Sequence, residues 1–378
     1  MKVVLFCMHM PDRCGAFFHD VSAAKGLISK GHSVSFVYTE RSSGVPVNGT
    51  YRGIGFKHYS VAEADLLAAD VWTTPHYPIA VKVRKLNERF QKPLIITAHF
   101  GEELSVFERQ GPTPEAALYV SRHMKSYADS KLSISSSIKQ SAVIYPIILK
   151  NDITLPEDRE PGTYVTLVNG NMLKGVDIFL RIADKMKDTQ FLGIRPYYRH
   201  VNVHNTNNVT WESYTDDVRT VLTKTRVLIV ASYTESWSRI AFEAMYNGIP
   251  VVYSRPYEAS TLPGGTTHAM KEWIEDGAIN VDRSSIDEWV AAIELLKDPD
   301  TYAEWSKKAA EQARKINVFS MVDAYENFLK DFSTKHKSGV TISSKAPQKS
   351  VGAEPPRPPT MGVIPRMSFS GGRFGRKK

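Results

Sequence analysis

Two carboxylates, Glu235 and Glu243, stand eight positions apart in Tyr233–Pro250, a segment reading Tyr-Thr-Glu-Ser-Trp-Ser-Arg-Ile-Ala-Phe-Glu-Ala-Met-Tyr-Asn-Gly-Ile-Pro. An apolar run, Arg226–Ser232, precedes it and another, Ile249–Tyr253, closes it. Both read as buried strands, with an amphipathic helix beginning near Trp237 between them. The spacing sets Glu235 in the strand-to-helix turn and Glu243 about two turns further along. The mouth of such a helix offers free backbone N–H groups and the positive end of the dipole, a seat for a phosphate. An anion cradle between two carboxylates suits a sugar joined to a nucleoside through phosphates. The same spacing also fits any βαβ unit with two surface glutamates, so spacing alone leaves both readings open.

The elements that must position these groups follow from the chain in order. Lys2–Met8 reads as a buried strand, Pro11–Gly15 as a turn, Ala16–Lys30 as a helix stopped by Gly31-His32, and Ser33–Tyr38 as the next strand. This is a doubly wound opening. It lacks Gly-x-Gly-x-x-Gly, which argues against a dinucleotide oxidoreductase. Asp70–Thr73 and Leu94–Thr97 are expected strands, and the second runs into Ala98-His99-Phe100-Gly101. A histidine at the C-terminal end of a parallel strand lies where such sheets bind ligands, although a loop histidine without a role fits equally. Polar turns and prolines mark Ile144–Pro161 as an interdomain linker.

The second half begins with an expected strand, Tyr164–Val168, and a loop containing Lys174-Gly175. A helix, Ile178–Lys187, and a strand, Gln190–Ile194, ending at Arg195 follow. Val209–Trp211 reads as a strand and Asp216–Thr223 as a helix. Arg255–His268, with Pro263, Gly264-Gly265 and Thr266-Thr267, has the character of a flexible cleft loop. Ser284–Lys297, Thr301–Lys315 and Phe319–Phe332 are expected helices. Asp298 and Asp300 straddle a proline between two of them, so they are not read as a metal pair.

Glu235, Ser236, Trp237, Glu243, Ala244, Gly248 and Pro250 resemble the Glu-x7-Glu signature of retaining nucleotide-sugar glycosyltransferases of family four. The resemblance extends over about residues 1–333 and is most specific in the C-terminal half. It implies an α/β GT-B fold, two Rossmann-like domains facing across a cleft. An acceptor-side domain would span 1–155, and a nucleotide-sugar-binding domain 156–335. It also implies transfer with retention of anomeric configuration, no metal and no cofactor beyond the donor. Glu235, His99 and Lys174 would act at the reacting sugar and its phosphates. Glu243, Trp237, Ser238, Arg239, Ile240, Arg195, Gly15 and Asn171 would bind the donor, with Glu243 on the ribose hydroxyls. The arginine that the family places near Lys174 is absent, its region being Asn169, Gly170 and Asn171. Arg195 or Arg239 would replace it. Ala128–Val143, with Ser133, Ser135, Ser136 and Ser137, resembles the family's alanine-aspartate, strand, serine, helix segment, and the last helix would cross back onto the first domain. A DNA-modifying viral glycosyltransferase, a decayed sugar-phosphate-binding protein, and a phosphorylase or epimerase of the same fold remain alternatives.

Length and composition bound these readings. A chain of 378 residues, 42% hydrophobic and 23% charged, can build two cores of ordinary soluble type. Cys7 and Cys14 offer neither a disulfide framework nor a zinc cluster, and are expected to be reduced thiols of a cytoplasmic protein. The first apolar run is too short for a signal peptide and no later run approaches a membrane span, so the sequons at Asn48 and Asn208 are expected to stay unglycosylated. Of 48 Lys and Arg, nine fall in residues 336–378, against one of the 40 acids, so the tail carries the whole excess of +8. This Ser-, Pro- and Gly-rich basic tail is expected to be disordered. Its interleaved Arg, Phe and Gly suit nucleic acid or an anionic membrane surface, or a merely solvated extension. The acceptor, whether glycan, lipid or DNA, is not legible in any motif.

Overall fold

Runs of β-branched and aromatic residues build two parallel sheets. The structure, a computed structural model, describes residues 1–75, 79–99, 116–130, 138–197, 206–255 and 268–337. The first sheet comprises β1 (Lys2–Cys7), β2 (Ser33–Tyr38), β3 (Asn48–Tyr51), β4 (Ile54–His58), β5 (Val71–Thr74), β6 (Leu94–Ala98), β7 (Ala116–Tyr119) and β8 (Gln140–Val143). Their order is β3-β4-β2-β1-β5-β6-β7-β8, parallel throughout except for the β3–β4 hairpin. The second sheet comprises β9 (Tyr164–Leu167), β10 (Phe191–Ile194), β11 (Val209–Glu212), β12 (Thr225–Val230), β13 (Val251–Ser254) and β14 (Ile279–Val281). Its order is β11-β10-β9-β12-β13-β14, all parallel.

Each sheet reverses its winding once, between β1 and β5 in the first and between β9 and β12 in the second. At such a reversal the loops leaving two adjacent strands part in opposite directions and open a crevice beyond the strand ends. Helices cover both faces. The helix Gly15–Ser29 packs Phe17, Val21 and Leu27 against Leu5 and Phe36, and the last helix, Met321–Lys337, adds Tyr325, Phe328, Leu329 and Phe332 to that core. The two helices approach closely at Gly26, where a Cβ would lie 2.4 Å from Val322 Cγ2. No helix among the described residues is long and apolar enough to cross a membrane.

Several local expectations are corrected. The expected helix Asp216–Thr223 shrinks to Arg219–Leu222, because Asp217 Oδ1 accepts from the Arg219 backbone N–H at 3.1 Å and its carboxylate takes up the Arg219 guanidinium. Ala128 and Asp129 lie at the end of a helix, Arg122–Ser130, and the strand expected after them falls in 131–137, outside the described residues. Gln140–Val143, expected helical, is a strand paired in parallel with β7. The serine run lies outside the described residues, as do 256–267 of the cleft loop and 338–378 of the tail. The β3–β4 hairpin was not anticipated. Its turn sets both Arg52 (φ 51) and Gly53 (φ 81) left-handed, and only the second residue advertises that conformation.

Candidate active site

The winding reversal of the second sheet brings the loops after β9 and β12 together. Leaving β9, Asn171 organises a single helical turn. Its Oδ1 accepts from the Lys174 N–H at 3.1 Å, and its Nδ2 donates to Asn169 Oδ1 at 2.9 Å. Gly175 then takes φ +84, and a Cβ there would sit 2.3 Å from the carbonyl oxygen of Ala231. Only glycine permits this approach, which presses Lys174 against the end of β12. The Tyr233 N–H closes the contact by donating to the Leu173 carbonyl at 2.9 Å.

Glu235 is the meeting point of the two loops. Lys174 Nζ donates to its Oε1 at 2.6 Å, and Ser232 Oγ donates to the same oxygen at 2.7 Å. The Glu235 side chain is 7% exposed, whereas the Lys174 side chain is 24% exposed, so the ion pair opens on its lysine side.

The helix beyond Glu235 begins at Arg239, two residues later than the sequence suggests, and runs to Tyr246. The delay is set by Ser238, which takes the left-handed conformation (φ 69, ψ 80). No side chain caps the first turn, and the Ser238 hydroxyl is buried without a partner. An uncapped helix start leaves backbone N–H groups and the dipole's positive end available to an anion. One turn in, Arg239 Nε and Nη2 donate to Glu243 Oε1 at 3.3 and 3.2 Å. Arg239 Nη1 reaches the Ile147 carbonyl at 3.1 Å.

The predicted residues divide into those brought together and those used elsewhere. Lys174 and Glu235 form one pair and Arg239 and Glu243 another, on either side of the same uncapped turn. His99, beyond β6, lies in the first sheet's crevice with its ring 5.0 Å from that of His19. Gly15 starts the first helix, with open space where a Cβ would be. Ile240 is half-buried in the helix mouth. Trp237 is a correction at the level of its side chain. Its indole is fully buried, stacked on Trp273 at 4.8 Å and flanked by Tyr145 and Phe242, so the ring belongs to the core. Arg195 holds its guanidinium over the Trp211 ring at 5.6 Å, and Asn171 spends its side chain on the local turn.

Three features escaped the sequence reading. His19, on the first helix, is buried and accepts the Ile147 N–H at Nδ1, 3.0 Å away. Burial first, then the nearby Arg239 charge, push its pKa down to about 3, so the ring stays neutral. Arg283, after the edge strand β14, donates to the Ala231 carbonyl at 3.0 Å and to Asp177 at 3.2 Å. It also lies over the Tyr233 ring at 3.7 Å. It therefore brings a second cation behind Gly175. Asp216 joins the two halves: it pairs with Arg13 at 3.1 Å and accepts from the Tyr51 hydroxyl at 3.1 Å, while its carbonyl accepts from Arg52. All three link residues far apart in sequence, and no local pattern announces them.

Residues 173–312 match the family model described as glycosyl transferases group 1. No curated protein matches the chain. Among solved structures, HepE from Anabaena in complex with UDP-glucose is similar at 14% identity, with a TM-score of 0.68 over 88% of this chain and 100% of that one. Sucrose-phosphate synthase from Thermosynechococcus elongatus is similar at 13% identity, with a TM-score of 0.67 over 88% and 99%. A glycosyltransferase from Rickettsia africae is similar at 13% identity, with a TM-score of 0.64 over 87% and 98%. At these identities the likeness concerns the fold, which is GT-B: two Rossmann-like domains, each with its own parallel sheet.

Proposed function

We propose that the chain transfers a glycosyl group from a nucleotide-sugar to an acceptor hydroxyl, with retention of anomeric configuration. The observation that carries this reading is the ion pair of Lys174 with Glu235, beside the uncapped start of the helix that bears Glu243. A cation and free helix amides suit a diphosphate, and carboxylates on either side suit the hydroxyls of a sugar and a ribose. The match of residues 173–312 to group 1 glycosyl transferases supports it independently.

In this reading Glu243 accepts hydrogen bonds from the ribose and Glu235 from the transferred sugar. Lys174 and the helix mouth meet the charge that grows on the diphosphate as its bond to the sugar carbon breaks. The leaving diphosphate keeps the bonding electron pair and takes the proton of the attacking hydroxyl, on the face it leaves, so configuration is retained. His99 contacts the sugar from the first domain. Lys174 and the helix amides meet the diphosphate's charge, so turnover should persist in EDTA.

The test is a panel of UDP-, GDP- and ADP-sugars scored for slow hydrolysis without acceptor, with the released sugar's anomer read by NMR. UDP-glucose is the first donor to try, because HepE was crystallised with it. Hydrolysis of one donor class with a retained anomer supports the proposal. An inverted product would remove the retaining mechanism, and binding without turnover by any donor would remove the enzyme.

A further inference from the structure

The peptide of Ile147, in the segment joining the two sheets, is gripped from both sides. Its N–H donates to His19 Nδ1 at 3.0 Å, from the helix that follows β1. Its carbonyl accepts from Arg239 Nη1 at 3.1 Å, from the helix that follows β12. Ile147 is fully buried, so water cannot take over either bond. Arg239 spends its other nitrogens on Glu243, and the His19 ring stands edge-on to His99 at 5.0 Å and 76°. An unbroken line of contacts thus runs from Glu243 through Arg239, one linker peptide and His19 to His99.

We propose that this peptide couples occupation of the nucleotide site to the placement of His99, with His19 as the positioning residue. The inference rests on the reading of Glu243 as a nucleotide ligand. A ribose that takes hydrogen bonds at Glu243 changes how Arg239 divides itself between that carboxylate and the Ile147 carbonyl. The peptide has no freedom to move one end without the other, so the change reaches the His19 bond. Coupling of this kind is reciprocal: if bound nucleotide strengthens the His19 bond, an intact His19 bond strengthens nucleotide binding by the same factor, and its loss weakens it. Burial keeps the ring neutral, so Nδ1 remains an acceptor and the line does not switch off near neutral pH.

Two substitutions separate the hydrogen bond from mere packing. His19→Asn keeps an acceptor near the position of Nδ1, and His19→Leu fills comparable volume without one. Two quantities are read: hydrogen exchange over residues 145–149, and calorimetric binding of UDP, GDP and ADP. In His19→Leu, exchange at the Ile147 amide should rise about tenfold, as loss of one buried hydrogen bond implies. Affinity for whichever diphosphate binds should fall by about three- to tenfold, although His19 lies on the other domain. His19→Asn should recover both to within about twofold. Arg239→Ala should also speed exchange at Ile147, although it removes only the carbonyl's partner. Identical behaviour of the Asn and Leu variants would reduce His19 to a packing residue and overturn the proposal. So would faster exchange with unchanged affinity. If the intact protein binds none of the three diphosphates, the nucleotide-site reading fails first. An unchanged exchange rate in Arg239→Ala would then remove the coupling as well, and a raised one would keep it as a link between the domains.

Discussion

At the crevice of the second sheet, Lys174 meets Glu235 and Arg239 meets Glu243. At the crevice of the first, His19 and Asp20 are buried, and burial drives the histidine down and the carboxyl up, each toward its uncharged form. Both sites occupy the same place in a doubly wound sheet, yet they treat charge in opposite ways. Ion pairs with one open side can exchange a partner for a ligand while each charge stays compensated. Buried neutral groups gain charge only against a desolvation penalty. An anion such as the diphosphate of the proposed donor would therefore suit the second rim better, and the first rim groups that arrive without charge.

The largest expected effect tests the charged rim. Lys174→Ala should lower kcat by roughly 10²–10³, the range for removing one positioned stabiliser of transition-state charge. Thermal stability should change little, because the lysine is partly exposed. Steady-state kinetics with whichever donor the hydrolysis panel identifies decides it, and full activity would mean that the helix mouth alone carries the diphosphate. Next in size is Glu243→Ala, which should weaken binding of the nucleoside diphosphate by roughly 1–3 kcal/mol, the scale of a lost polar contact. Calorimetry that finds the affinity unaltered would detach Glu243 from the ribose.

The smallest effect probes the neutral rim. Asp20 is raised above its ordinary value of 3.8 by burial, and then by Asp12. A carboxyl raised on folding contributes stability that is complete below the unfolded pKa and is lost as pH climbs toward the folded one. Asn does not titrate, so the melting temperature of Asp20→Asn relative to the parent should rise steadily from pH 4 to pH 8. A gain of about 2–4 °C per kcal/mol is the expected scale. His19 works in the other direction: its contribution is complete above the ordinary value of 6.5 and is lost as pH falls toward about 3. A melting-temperature difference for Asp20→Asn that is flat with pH would place a charged Asp20 in the folded state and erase the contrast between the rims.

How much of this was legible depended on how local the signal was. The seven-residue gap in Glu-x7-Glu is local, and so is the Lys174-Gly175 step, where a left-handed turn demands glycine. The apolar runs gave most strands, though their ends shifted by a residue or two. The short strand Ala116–Tyr119 was missed because four small and apolar residues carry no period of their own. Trp237 was misread because a motif position says nothing of where a ring points. Trp273, 36 residues away, supplies its stacking partner and donates its indole N–H to the Trp237 carbonyl. The grip on Ile147 was invisible for the same reason, since His19 lies 128 residues from it and Arg239 another 92 beyond. Arg239 and Glu243, four apart on one helix, could have been paired in advance by the i, i+4 rule.

The return of Met321–Lys337 to the first sheet has a consequence for how the protein is made. Tyr325, Phe328, Leu329 and Phe332 complete a core whose other members lie mainly in residues 3–147. A ribosome delivers those members first and the covering helix last. While the whole second sheet is being synthesised, the groove beside Gly26 stays uncovered, exposing apolar side chains to water and to neighbouring nascent chains. The core of the first half is thus completed only by residues translated after the whole second sheet.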